Sequence, residues 1–161
     1  MIIPELLGRY PFFSFLKPAK LNSIAKIAVE EAYERGEIVF RENAFADALY
    51  ILLKGSLELY FTVDINYHPE QRKELKFRVI YPGELFGISA LIEPYMLTSS
   101  ARATEPSRVA KILAKPLLEI CEQDDKLAYT LTQQVAKAAI DRLNATRLQL
   151  AAAWVPSTEK R

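Results

Sequence analysis

The feature that most restricts the fold lies between Gly36 and Leu113, where short runs of β-branched and aromatic residues are divided by isolated turn residues. Glu37-Ile38-Val39-Phe40, Ala48 to Leu53, Ser56 to Val63, Leu75 to Ile80 and Ser107 to Leu113 each have the length and composition of a strand. Gly36, Gly55 and Gly83 stand at strand ends, and Asn43 stands where a left-handed turn is needed. Strand follows strand without the alternating helices of a parallel sheet, so seven or eight antiparallel strands are expected, closed into a barrel.

Helical patterns flank this section. Pro4 to Arg9 reads as a short helical turn. Pro18 to about Glu30 reads as a helix, because Leu21, Ile24, Ala25 and Ala28 recur at the i, i+3, i+4, i+7 spacing of one face. Pro116 opens a short helix, and Asp124-Asp125 can cap a long one that runs to about Ala153. At 161 residues, half of them apolar and a quarter charged, the chain fits one folded unit. Its expected parts are a β domain with short helices over 1–125, the long helix over 126–153 and a polar tail over 154–161.

Charge and residue counts narrow the chemistry. Twenty-one Lys and Arg oppose 20 Asp and Glu, scattered along the chain, which leaves no basic face for a nucleic acid. The longest apolar runs, such as Ala48 to Leu53, fall far short of the ~20 residues of a membrane span. The N-terminus lacks the basic-then-apolar signature of a secretory signal, so a cytoplasmic location is expected. Cys121 is the single cysteine and sits among Leu117, Leu118 and Ile120, the setting of an inert core thiol. His68 is the single histidine, in a polar stretch beside Pro69. One cysteine and one histidine argue against a zinc site or a histidine-based triad, and a non-enzymatic protein is expected.

The segment richest in functional signal is Tyr81 to Ala103, YPGELFGISALIEPYMLTSSARA. Pro82-Gly83 makes a tight turn, Gly87 lets backbone approach a ligand, and Ser89-Ala90-Leu91-Ile92 has the composition of one helical turn. A glycine ahead of a helical turn forms an anion cradle from free N–H groups.

With YPFFSFLKPAKLNSIA before it, RGEIVFRENAFADALYILLKGSLELY leading into PGELFG, and ATRLQL at the far end, the chain resembles the cyclic-nucleotide-binding domain family from about Tyr10 to Leu150. The resemblance implies a mainly β fold with flanking helices: an antiparallel double-stranded β-helix, or jelly-roll barrel, with N-terminal helices and a long C-terminal helix. It also implies a regulatory role, with cyclic AMP or cyclic GMP as the ligand class. In the family a Glu after FG holds the ribose 2′-hydroxyl, and a later Arg holds the cyclic phosphate. Here those positions carry Ile88 and Leu97, while Gly87, Ser89, Ala90 and Thr98 match the backbone-donor part of the cassette. Two lost charge-assisted contacts, at about 1.5–3 kcal/mol each, predict nucleotide binding weakened by several hundredfold or more. Losing both together leaves no unpaired buried charge, which suits a pocket retired or retuned toward a less polar ligand.

Two apolar stripes run along the long helix, Leu127, Leu131, Val135 and Ala138 on one, and Ala136, Ile140, Leu143 and Leu150 on the other. One can meet the β domain and the other a second copy, so a homodimer through this helix is expected. Transcription factors of the family continue into a helix-turn-helix domain, which these 161 residues are not expected to hold, so DNA binding by this chain alone is not expected. The alternative readings are a ligand-free interaction or dimerisation module, or a sensor domain cut from a transcription regulator. An enzyme on a related barrel, such as a cupin, would need several metal ligands that this sequence does not supply.

Overall fold

The computed structural model describes residues 2–64 and 72–155. His68 and the Pro156 to Arg161 tail lie outside the described residues.

Among the described residues two short helices, α1 (Pro4–Gly8) and α2 (Pro18–Lys26), precede eight strands. These are β1 (Ala28–Tyr33), β2 (Ile38–Phe40), β3 (Ala48–Lys54), β4 (Leu57–Asp64), β5 (Arg72–Ile80), β6 (Leu85–Phe86), β7 (Ser100–Ala103) and β8 (Ser107–Leu113). A 3₁₀ turn, Ile88–Leu91, lies between β6 and β7, and α3 (Ala114–Glu122) and α4 (Asp125–Trp154) follow. All strand pairs are antiparallel, in two four-stranded sheets ordered β1-β8-β3-β6 and β2-β7-β4-β5. The architecture is a jelly roll flanked by helices.

The run Ala48 to Leu52 reads as continuously apolar because β3 is covered on both faces. Ala48, Tyr50 and Leu52 pack between the sheets with Leu57, Leu59, Ile80, Phe86 and Val109. Leu49 and Ile51 point the other way, into a core with Phe13, Ile24, Leu117, Leu127 and Leu131 from the helices. Period-two alternation thus divides one strand between two hydrophobic layers.

Proline at the first position fixes the start of α2, but the helix ends at Lys26 and not near Glu30. Ala28 is buried as the spacing requires, yet it opens β1, where it pairs with Ile112. Burial continued past the helix end and imitated a longer helical face. Asp124 caps α4 as expected, its carboxylate accepting from the Leu127 N–H at 3.0 Å while holding Lys20 at 2.8 Å. Cys121 is half-buried against the helical core, and burial pushes its thiol up, as expected of an unreactive sulfur.

Candidate ligand-binding site

A cavity of about 390 Å³ opens beside the 3₁₀ turn, within the range of small-ligand pockets. The cassette supplies one wall through Gly87, Ile88, Ser89, Leu97 and Thr98. The inner face of the second sheet supplies Phe40, Leu59 and Phe77, and the loop from Ile92 to Met96 forms the rim. Helix α4 closes the remaining side with Ala139 and Arg142.

Five of the six cassette residues picked from the sequence therefore share one cavity. Ala90 does not line it. That residue is fully buried with Ala46, Leu97 and Ala114, and its N–H is engaged by the Gly87 carbonyl at 3.1 Å.

Gly87 takes a left-handed φ of 69°, and a Cβ there would stand 2.9 Å from Tyr50 Cδ2 and 3.2 Å from the Ala48 carbonyl oxygen. The crowding that demands glycine comes from β3. Tyr50 also stacks on Phe86, with centroids 5.1 Å apart, and Phe40 joins them, so an aromatic cluster fixes the turn from behind.

The two residues at the family's charged positions both face the cavity. Leu97 is 6% exposed, and Ile88 packs partly against the helical core. Two other charged residues of the segment are committed elsewhere. Arg102 lies on the outward face of β7, bound to Glu58 at 2.6 Å and Glu74 at 2.9 Å with its guanidinium 4.5 Å above the Tyr60 ring. Glu84, in the PGE turn, pairs with Arg78 at 2.9 Å and accepts from the Tyr81 N–H. Neither supplies the missing anchor.

Arg142 is the cation that sequence reasoning missed. It donates to the Leu85 carbonyl oxygen and so ties α4 to β6. Burial, reinforced by nearby Arg78 and partly offset by Glu84, pulls its guanidinium down to about 10, still a cation at neutral pH. The signal was present, because position 142 falls one turn beyond Ala138 on the stripe that begins at Leu127. Among the described residues no cluster of His, Cys, Asp and Glu could hold a metal, and no helix is long and apolar enough to cross a membrane.

The model of the cyclic nucleotide-binding domain family matches residues 30–124. A protein of Geobacter metallireducens named for cyclic nucleotide binding is 39% identical, with a TM-score of 0.77 over 89% of this chain and 99% of that one. The sensor domain of the transcriptional regulator DNR from Pseudomonas aeruginosa, at 20% identity, shares the fold with a TM-score of 0.67 over 84% of this chain and 91% of its own. The regulatory subunit of cAMP-dependent protein kinase from Blastocladiella emersonii is 30% identical over 77% of this chain. A CRP-like cAMP-activated global transcriptional regulator of Mycobacterium tuberculosis is 28% identical over 60%. The chain spans 26% of the first and 41% of the second, well under half the length of these curated relatives.

Proposed function

The chain belongs to the cyclic nucleotide-binding domain family, and from that premise we propose that it is a non-enzymatic regulatory module that senses a small ligand in the cavity beside Gly87. Occupancy is passed to α4. The observation that carries this reading is that α4 forms a wall of the same cavity through Ala139 and Arg142, so filling the space changes what the helix packs against.

The ligand is not an ordinary cyclic nucleotide at ordinary affinity. The ribose and phosphate anchors are Ile88 and Leu97, and the nearby Arg102 is held on the opposite face of its strand by two carboxylates. Titration calorimetry with cyclic AMP and cyclic GMP tests this. The natural chain is expected to bind at least a hundredfold more weakly than the double variant Ile88→Glu, Leu97→Arg, by the worth of two charge-assisted contacts. Micromolar binding by the natural chain, unchanged in the double variant, would overturn the reading.

A second role rests on the exposed stripe of α4. Ile140, Leu143, Leu150 and Trp154 are each more than half exposed, and they support assembly into a homodimer through this helix.

A further inference from the structure

The charge of the cavity is displaced from where the cassette would put it. Its walls near Ile88, Leu97, Phe40 and Phe77 are apolar, and among the described residues the one cation lining it is Arg142, which arrives from α4. Arg78 lies close enough to Arg142 to disfavour its charge, and the nearby carboxylate, Glu84, is ion-paired with Arg78 at 2.9 Å. Arg78 Nε is buried and has no hydrogen-bond partner among the described residues. The acid that lines the cavity, Glu93, is exposed at the rim. The inner end therefore holds more positive charge than negative, in a place where water screens it poorly.

We propose that the cavity takes a small organic anion, a carboxylate or sulfonate carried on an apolar or aromatic body, with the anionic group at Arg142 and the body against Ile88, Leu97 and Phe77. This specifies the ligand class of the sensing site described above and rests on that reading. Such a ligand replaces the hydration that Arg142 gave up on burial, and its body needs none of the ribose contacts that Ile88 and Leu97 cannot make. Because Arg142 also holds α4 to the Leu85 carbonyl, an anion there competes for the group that latches the helix.

Two fluorescent probes of similar shape test the proposal. Anilinonaphthalene sulfonate carries an anion, and phenylnaphthylamine does not. The natural chain is expected to bind the sulfonate at one site at least tenfold more tightly than the neutral amine. Arg142→Gln removes that preference, Arg142→Lys restores most of it, and Ile88→Asp weakens both probes. Circular dichroism and melting curves verify that each variant is folded. Equal binding of both probes, indifferent to Arg142→Gln, overturns the anion assignment and leaves the sensing role standing. Binding that survives Ile88→Asp lies outside the cavity and likewise overturns the assignment. Failure of both probes to bind the natural chain overturns the sensing role as well.

Discussion

Gly87 answers two demands at once. Its φ of 69° is costly for any residue with a side chain, and a Cβ would press on the Tyr50 ring and the Ala48 carbonyl. Gly87→Ala is expected to cost roughly 2 kcal/mol, seen as a melting temperature lower by several degrees, and the loss should shrink when Tyr50 is trimmed in the same chain. The glycine was legible in PGELFG, but its reason was not. Tyr50 and Ala48 are brought to it by the β3–β6 pairing, which no local pattern encodes. Ile88 and Leu97 were legible for the opposite reason, since a family pattern fixes where charges would stand. Arg142 was hidden because it reads as one more polar residue on a long helix until the cavity it lines is known.

At the scale of elements, β4, β5 and β7 are tied across their outward face by a charge network. Glu58 is 6% exposed, with Arg102 at 2.6 Å and Lys76 at 2.7 Å. Burial pushes its carboxyl up, but the hydrogen bonds from Lys76 and Arg102 outweigh it and hold the group below its ordinary value of 4.5. A lowered folded-state value means that this stability is present above pH 4.5 and is lost as the pH falls through the folded value. Glu58→Gln is expected to cost about 2–3 kcal/mol at neutral pH, mainly through Arg102, because Lys76 is largely solvated. Urea midpoints should show the gap between the natural chain and the variant closing as the pH drops below 4.5. A gap that is constant with pH would mean that Glu58 acts by shape and not by charge.

Strands whose side chains alternate or are uniformly apolar were legible in the sequence, β3 and β8 above all. Two short ones were not. β6 and β7 hold two and four residues and are defined by their neighbours more than by their own composition. β1 escaped notice because its centre is Glu30 and Glu31, which an isolated reading assigns to solvent. In the folded chain they meet Arg108 and Lys111 across the sheet.

Over the whole molecule, α4 is a 30-residue rod about 45 Å long that does different work along its length. Leu127, Leu131 and Val135 anchor its first half in the core, Ala139 and Arg142 meet the cavity, and the large apolar side chains beyond, from Leu143 to Trp154, stand more than half exposed. Sedimentation velocity is expected to show a dimer, and Leu143→Glu with Trp154→Ser should convert it to a monomer without lowering the melting temperature of the domain core. A natural chain that stays monomeric at tens of micromolar would refute assembly through this helix.

The first sheet has a further consequence, for the order in which the molecule is made. β8 sits between β1 and β3, so Ala28 finds its partner only when Ile112 is available, and β3 keeps an open edge until the same moment. A chain emerging from a ribosome must therefore carry β1 unpaired, with β3 exposed on that edge, until nearly the whole jelly roll has been synthesised. Closure is then a late, concerted event set by the slowest long-range pairing, and chaperone contact during synthesis should concentrate on the apolar run of β3.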